Sequence, residues 1–328
     1  MTTSKSVPQE RDGMETTPPH RISTLDLTGQ QLTDLPDSIG AMAKLRELWL
    51  DQNQLTALPN SIGQLTHLET LSAYHNQLTT LPNAVWQLTQ LRVLNISVNR
   101  FSMLPDKIGS LTNLDMLDLG HNQIAELPET IGNLGNMTGF LYLSDNQLTR
   151  VPDSLGNLSK LAYLNISENQ LTSLPTAIGS LASLVELRLY HNQLSTFPDS
   201  LGNLSHLREL HVHHNRLTAL PEHIGHLGQL RKLILTNNSL TELPESIGNL
   251  RKLTELDCRN NRLTRLPEAL GNLNQLVYLD LRANQLTTLP ESLQHLTQLE
   301  KLDLRWNKAL QLPEWLPQLE QRGCLVYV

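Results

Sequence analysis

Aromatic residues, cysteines and long hydrophobic runs are all scarce in this sequence. Phe, Trp and Tyr make up 4% of the 328 residues, so aliphatic side chains must build any core. Cys258 and Cys324 are the only cysteines, which gives no disulfide framework and demands no oxidising compartment. No stretch approaches the roughly 18 consecutive apolar residues of a transmembrane helix, so we expect no membrane association. Residues 1–20 also lack the apolar segment of a Sec signal peptide.

Basic charge and catalytic motifs are also in short supply. The chain has 25 Lys and Arg against 32 acidic residues, and the net charge of −7 argues against nucleic acid as the main ligand. It contains no P-loop, GxSxG, CxxC or HExxH motif. We therefore predict no enzyme activity, no cofactor and no bound metal.

The sequence consists largely of one 23-residue repeat, called the phrase below. A clear copy is LAYLNISENQLTSLPTAIGSLAS at residues 161–183, and the phrase returns with changes from Ile22 almost to the last residue. One asparagine column marks the register of thirteen copies, at a spacing of 23 with a single step of 24, and Gln30 takes its place in the first copy. The column consists of Asn53, Asn76, Asn99, Asn122, Asn146, Asn169, Asn192, Asn215, Asn238, Asn261, Asn284 and Asn307.

Each copy predicts one short strand followed by a turn. In LAYLNIS, Leu164 and Ile166 alternate with Tyr163 and Asn165, so one set faces a core and the other faces solvent. One copy cannot bury its own apolar face, and consecutive strands must therefore pair in parallel and stack. Where each strand ends, the chain turns inward and leaves backbone groups unpaired, and we assign the Asn amide to those groups.

The full pattern, LxxLxLxxNxL followed by TxLPxxIGxL, resembles the leucine-rich repeat family over residues 22–316. Its LPxxIG half is similar to the 23-residue subclass of plant intracellular Ras-group-related proteins, Ras-pathway scaffolds and many bacterial proteins. The resemblance implies an α/β fold, a right-handed leucine-rich repeat solenoid (horseshoe) of about thirteen repeats. It further implies a parallel inner β-sheet, short helices or 3₁₀ turns on the convex side, and a concave face that usually carries binding.

The pattern divides the chain into three segments. Residues 1–20 are polar and aperiodic and predict a disordered arm, and residues 21–311 form the solenoid. Residues 312–328 predict a C-terminal cap, with a helix over 314–321, a stop at Gly323 and a strand over 324–328. The copy that contains Leu134 to Asn146 is one residue longer than the others, and Gly135 and Gly139 beside the extra position predict a bulge before the next strand.

An acidic residue follows the LP proline in ten of the thirteen copies. A carboxylate in the first turn of a short helix interacts favourably with the helix dipole, and proline suits the first position. We interpret this acidic ridge as capping of the convex side and leave open a surface for a cation or a basic partner. Its members are Asp37, Asp106, Glu129, Asp153, Asp199, Glu222, Glu245, Glu268, Glu291 and Glu314.

Three features mark the face that the resemblance makes concave, at the positions six, four and two before each Asn. The first is an apolar run at the outermost position, Val93, Met116, Phe140 and Tyr163, with Tyr142 beside it. Exposed aromatic side chains on a rigid sheet favour partner binding, because they bury a large area and lose few rotamers. The alternative is that neighbouring rings stack on one another along the sheet.

The second feature is the Asp/Arg ladder, in which three consecutive strands read Asp-x-Arg. It comprises Asp257, Arg259, Asp280, Arg282, Asp303 and Arg305. Like charges stacked at about 4.8 Å repel unless opposite charges interleave, which favours a self-neutralising network. The alternative is a surface that selects a charged partner and governs specificity and association rate.

The third feature is a group of histidines, His191, His211, His213 and His214, with Glu186 and Glu209 nearby. His211 and His213 share a face at strand spacing, which would allow a metal between them with a third ligand from the next strand. His75 and His121 occupy the same repeat position as His191 and His214, which favours a preference of the repeat for histidine at this position over a metal site. A further interpretation is a pH-sensitive contact surface. We place Arg188, Tyr190, His211 and His213 on the same predicted partner-binding face.

These patterns predict a non-catalytic scaffold, monomeric and cytoplasmic, that binds a protein partner through the concave face. Secretion by a non-Sec route stays open, because residues 1–20 could hide a translocation signal, and the alternative function is a secreted bacterial effector that binds a host protein. A third possibility is a metal-dependent enzyme or sensor around His211 and His213.

Overall fold

The structure is a computed structural model, and it describes residues 22–328. The predicted N-terminal arm lies outside the described residues. The chain divides into two compact units, with the boundary between Gln147 and Leu148, and each is described by itself. Within residues 22–328 no helix is both long and apolar enough to cross a membrane.

Both units are built from three-residue parallel strands, one for each repeat, and the second unit has one more in the C-terminal segment. In the first unit each strand pairs with the next one along the chain; its strands are β1 Thr24–Asp26, β2 Glu47–Trp49, β3 Thr70–Ser72, β4 Val93–Asn95, β5 Met116–Asp118 and β6 Phe140–Tyr142. The second unit follows the same rule; its strands are β7 Tyr163–Asn165, β8 Glu186–Arg188, β9 Glu209–His211, β10 Lys232–Ile234, β11 Glu255–Asp257, β12 Tyr278–Asp280, β13 Lys301–Asp303 and β14 Leu325–Tyr327.

The segment between consecutive strands forms a five-residue 3₁₀ helix that begins directly after the LP proline. Each proline has an extended backbone, as at Pro221 with φ −68° and ψ 150°, and caps without a side-chain bond. The first unit contains Asp37–Ala41, Asn60–Gln64, Asn83–Gln87, Asp106–Ser110 and Glu129–Asn133. The second contains Asp153–Asn157, Thr176–Ser180, Asp199–Asn203, Glu222–His226, Glu245–Asn249, Glu268–Asn272 and Glu291–His295.

Leucine and isoleucine fill the space between the strands and these 3₁₀ helices. Leu164 and Ile166 are fully buried, and so are their equivalents in the neighbouring copies. The parallel strands, the 3₁₀ helices and this leucine core confirm the fold class predicted from the repeat. Of the two alternatives for the convex side, the 3₁₀ turn is correct, because the backbone bonds join residues three apart, as from Ile224 N to Pro221 O.

The extra residue of the longer copy lies just before β6. The register steps by 24 residues there, from Met116 to Phe140. The carboxylate of Asp115 accepts the Thr138 N–H at 3.1 Å and also the Thr138 hydroxyl. These bonds hold the pKa of Asp115 below its usual range. A Cβ on Gly139 would lie 2.6 Å from the Asp115 carbonyl oxygen, so only glycine allows this close approach.

The C-terminal segment contains α1, Leu316–Gln321, followed by β14. The helix begins two residues later than the sequence suggests, and Pro317 falls in its first turn, where a missing N–H costs nothing. Strand β14 pairs with β13, and the Leu304 N–H donates to Tyr327 O at 2.7 Å.

Candidate functional site

The side chains that point away from the leucine core form a surface on each unit, which we call the sheet face. It carries the residues six, four and two positions before each repeat Asn, as at Glu186, Arg188 and Tyr190. The strand backbone positions these side chains, because the intervening Leu187 and Leu189 are fully buried on the other side.

The repeat Asn ties its own turn to the preceding copy, as Asn192 shows. The Asn192 amide donates to Ile166 O at 2.9 Å, to Leu189 O at 3.0 Å and to Tyr190 O at 3.4 Å. Its oxygen accepts the Leu171 N–H at 3.0 Å. A buried amide with four partners is satisfied in both of its roles, so this column holds the turns that present the sheet face.

The residue directly before each repeat Asn has a left-handed backbone, which was not predicted from the sequence. The twelve residues that precede an Asn have φ between 51° and 66° and none is glycine, whereas Gly29, with φ 70°, precedes Gln30 in the first copy. His, Asn and Asp are the residue types that tolerate this region best, and their abundance in the column was the available signal. The twelve members are Gln52, His75, Val98, His121, Asp145, Glu168, His191, His214, Asn237, Asn260, Ala283 and Trp306.

In the first unit the predicted apolar run ends in an exposed ring. Val93 and Met116 are half-buried, whereas Phe140 is 46% exposed. The rings of Phe140 and Tyr142 stack with centroids 6.0 Å apart and planes 10° apart. Side-by-side stacking restricts both side chains and leaves an aromatic surface of the kind that anchors partners.

In the second unit the predicted residues next to β7 and β8 form a charged and aromatic group. The Arg188 guanidinium lies 5.5 Å from the centre of the Tyr163 ring. The same guanidinium donates through Nε to Glu186 Oε1 at 2.5 Å. Arg188 is therefore fixed from two sides, by a cation–π contact and by an ion pair.

The neighbouring rings form a histidine cluster of Tyr190, His191, His213 and His214. The His213 ring stacks on Tyr190 at 4.5 Å, and the His191 ring stacks on His214 at 4.1 Å. Burial, followed by repulsion from the neighbouring histidines and Arg259, lowers the pKa of His213 to about 4. His213 is therefore neutral at physiological pH and acts as an aromatic surface.

His211 faces carboxylates instead of His213. Its Nε2 lies 2.9 Å from Glu209 Oε2, and ligand atoms of Glu186, Glu209 and His211 all lie within 4.8 Å of one another. These three groups could supply ligands to a metal ion. Arg188 is bonded to Glu186, so one of the two carboxylates already has a cationic partner.

In the Asp/Arg ladder, the Asp–Arg contacts at β12 and β13 are shorter than the one at β11. Arg282 donates three bonds of 2.6–3.0 Å to Asp280, and Arg305 donates two of 2.6 and 2.9 Å to Asp303. Arg259 lies 3.4 Å from Asp257 and 3.9 Å from Asp280, at ion-pair range only. Burial raises the pKa of Asp257, whereas the Arg305 bonds outweigh burial and lower the pKa of Asp303.

A cleft of about 350 Å³ opens on the sheet face between the histidine cluster and the ladder. We call it the Arg259 cleft. Its lining residues are His213, His214, Ile234, Thr236, Asn237, Arg259, Asn260, Arg282 and Trp306.

Three exposed aromatic residues of the second unit were not predicted from the sequence. Tyr278 occupies the same outermost position as Phe140 and Tyr163, so its column could have revealed it. Trp306, 66% exposed, stands in the left-handed column with Arg305 5.8 Å from its ring, and Tyr327 belongs to β14, where the repeat pattern has ended.

Comparison with known proteins covers nearly the whole chain. No curated protein matches it. A leucine-rich repeat protein of Leptospira interrogans is 30% identical, over 94% of this chain and 96% of that one, with a TM-score of 0.61. The plant peptide hormone receptor RGFR1, in complex with RGF2, is 31% identical over 95% of this chain and 53% of its own, with a TM-score of 0.81, so our chain spans about half of it.

At 23% identity, the internalin InlF of Listeria monocytogenes shares the fold over 94% of this chain and 87% of its own, with a TM-score of 0.65. A family model described as a leucine-rich repeat region matches residues 21–122, 79–162, 116–222 and 214–321. The resemblance read from the repeat is thereby confirmed, and the chain belongs to the leucine-rich repeat family.

Proposed function

We propose that this protein is a non-catalytic scaffold that binds a protein partner through its sheet face. The leucine-rich repeat fold is typical of protein–protein interaction scaffolds, and its families are generally not enzymes. The observation that carries the proposal is the exposed Phe140 ring, stacked on Tyr142 on a strand whose backbone is fixed by its neighbours. A preformed aromatic surface loses little conformational entropy on binding, so its buried area converts efficiently into affinity.

A similar protein supports a partner of peptide or protein character. RGFR1, a plant peptide hormone receptor, is in complex with RGF2, and our chain matches about half of it at 31% identity. By analogy the sheet face of this chain recognises a polypeptide.

Catalysis and cofactor binding are not part of the proposal, because the reactive groups have structural surroundings. Cys258 is fully buried in a core leucine position, and burial raises the pKa of its thiol well above the ordinary value. A protonated, inaccessible thiol is a poor nucleophile. The carboxylates of Asp257, Asp280 and Asp303 are paired with the arginines of the ladder, and that of Glu255 is paired with Lys232.

The test is affinity capture from a lysate of the source cell with the intact protein and a Phe140→Glu, Tyr142→Glu variant. Met103→Glu is the matched control, since Met103 is 70% exposed in the same unit but outside the strands. We expect a partner that the intact protein and the control retain and the double variant loses, with circular dichroism showing that all three are folded. Equal capture by all three would contradict a binding role for these rings.

We further propose that the protein is a cytoplasmic monomer. The alternative, an effector that binds its partner in another cell, assigns a translocation role to residues 1–20. A reporter fused to these residues and assayed for transport out of the producing cell separates the two. Transport that depends on residues 1–20 would favour the effector.

A further inference from the structure

The Asp/Arg ladder contains equal numbers of opposite charges, but these charges differ in their exposure to solvent. The side chains of Asp257, Asp280 and Asp303 are 14%, 17% and 0% exposed. Those of Arg259, Arg282 and Arg305 are 42%, 18% and 39% exposed. At the two ends of the ladder the carboxylate is much less exposed than the guanidinium, so an approaching partner meets Arg259 and Arg305 first, whereas Asp280 and Arg282 are almost equally covered.

Backbone bonds hold the carboxylates in this inner position. Each Asp accepts the N–H of the arginine two residues later, at 3.1 Å for Arg259, 3.1 Å for Arg282 and 3.4 Å for Arg305. An Asp that is bonded to its own turn cannot swing outward without losing that bond. The orientation of the ladder is therefore built into the strands.

Of the three arginines, Arg259 forms the fewest side-chain hydrogen bonds. It donates no side-chain hydrogen bond among those of the described residues, whereas Arg282 donates three and Arg305 donates two. A guanidinium offers five donors in a planar fork that matches a carboxylate. Most of this capacity is unused at Arg259, which is 42% exposed and lines the cleft.

The surroundings of Arg259 are suited to an anion. None of the nine residues that line the cleft among the described part of the chain is acidic. The amides of Asn237 and Asn260 are bonded to each other at 2.7 Å, and Trp306 also lines the cleft. The positive charge of Arg259 contributes to the lowered pKa values of His213 and His214, after burial and the other histidines.

We infer that the Arg259 cleft binds a side-chain carboxylate from an acidic segment of the partner polypeptide. This inference rests on the proposed scaffold function and names the chemistry of its partner. A carboxylate at the outer edge of Arg259 would form a charge-assisted pair in a site walled by rings and amides. The acidic ridge does not oppose it, because its carboxylates lie in the 3₁₀ helices or next to α1 and not on the sheet face.

The test uses fluorescence anisotropy with two labelled peptides, one of alternating Glu and Ser and its Gln counterpart. Both are acetylated and amidated, so side-chain carboxylates are the only anions that differ. The proteins are wild type, Arg259→Gln, Arg259→Lys and Arg265→Gln. Arg265 is the matched control, because it is an exposed arginine of the same unit, paired with Glu242 away from the sheet face.

We expect wild type and Arg265→Gln to bind the Glu peptide, and Arg259→Gln to lose about tenfold or more in affinity. Arg259→Lys keeps the charge and loses the planar fork, so we expect intermediate affinity. Rising salt should weaken binding by the wild type. Two results would overturn the inference. The first is equal affinity of the wild type for the Glu and Gln peptides, and the second is equal affinity of the wild type and Arg259→Gln for the Glu peptide.

The two proposals fail in different ways. Suppose the captured partner is lost by the Phe140→Glu, Tyr142→Glu variant but retained by Arg259→Gln, and the Glu peptide is not bound. Then the scaffold function stands and the carboxylate site is wrong. Binding of the Glu peptide through Arg259, without a captured partner, would instead support the carboxylate site and contradict the proposed role of the Phe140 surface.

Discussion

At the scale of single residues, the end of each strand from β2 to β13 depends on two consecutive positions. The first takes a left-handed backbone and turns the chain, as His191 does with φ 52°. The second, Asn192, bonds the carbonyl oxygens that the turn exposes. A left-handed conformation costs roughly 1–2 kcal/mol for a residue with a Cβ, and the satisfied amide offsets that cost.

Removing one such amide should therefore destabilise the protein. We expect Asn192→Ala to lower the free energy of unfolding by about 1–3 kcal/mol, because it leaves buried carbonyl oxygens and the Leu171 N–H without partners. Urea unfolding measures the loss. Asn203→Ala is the control, since Asn203 is exposed on a 3₁₀ helix and should change little. Equal effects of the two substitutions would contradict a role for the amide.

The left-handed column contains one β-branched residue, Val98, with φ 52°. Branching at Cβ makes this region especially unfavourable, whereas Asn tolerates it. We expect Val98→Asn to raise the free energy of unfolding by about 1 kcal/mol while keeping the bond from its N–H to Gly120 O. Val98→Thr retains the branching and should bring no gain. Thermal unfolding of the two variants decides the point, and equal melting temperatures would refute the backbone argument.

The pKa of His213 links stability to pH. Its folded-state pKa of about 4 lies below the roughly 6.5 of an unfolded histidine, so the unfolded chain takes up the proton first as the pH falls. We expect stability to decline between about pH 6.5 and pH 4, and less so in His213→Phe, which keeps a ring against Tyr190. Melting temperatures across this range test it. His206→Phe, at an exposed histidine, should follow the wild type, and an unchanged slope in His213→Phe would contradict the prediction.

At the scale of elements, the 3₁₀ helices of neighbouring copies approach more closely than a side chain allows. A Cβ on Gly179 would lie 2.8 Å from the carbonyl carbon of Ser200 and nearer still to its oxygen. The repeated IG of the sequence marks this column, but the repeat pattern gives its glycines no packing role. Spacing along the chain does not reveal contacts between turns of different copies, which is why this packing role was not predicted. Trp86, which replaces one such glycine, is buried instead.

Gly179→Ala should therefore cost about 1–3 kcal/mol in stability, because the neighbouring backbone must move to admit the methyl group. Gly228→Ala is the matched control in the same unit, with no atom closer than 4.0 Å to the added Cβ. That control should be neutral or slightly stabilising, since alanine reduces the freedom of the unfolded chain. Urea unfolding of both measures the difference. A Gly179→Ala protein as stable as Gly228→Ala would show that the turns can separate freely.

At the scale of the whole molecule, the period predicted the strands, their parallel order and the leucine core, because these follow from one alternating phrase repeated along the chain. The site was harder to predict. Arg259 is more exposed than Arg282, and this difference depends on side-chain geometry that the identical Asp-x-Arg motifs do not reveal. Trp306 was missed because its column was read as a residue preference instead of as a backbone conformation.

A solenoid unit also needs a closed end, and in the second unit β14 supplies it. The Leu325 N–H donates to Glu300 O at 2.7 Å, and the Arg305 guanidinium lies 5.0 Å from the Tyr327 ring. Cys324 is buried, and Asp303 is fully covered. Each copy is stabilised only by its neighbours, so the loss of this strand should expose the β13 edge and the apolar layer behind it.

Deleting residues 323–328 should therefore lower the free energy of unfolding by about 2–4 kcal/mol, from lost backbone bonds at about 1 kcal/mol each and lost apolar burial. It should also cause association that grows with protein concentration, because a bare edge strand pairs with other chains. Deleting Val328 alone, which is 65% exposed and lies beyond β14, is the control and should change neither property. Thermal unfolding and light scattering measure the two effects. A shortened chain that melts and scatters like the control would mean that β13 tolerates an open edge, and that β14 contributes little to the stability of the second unit.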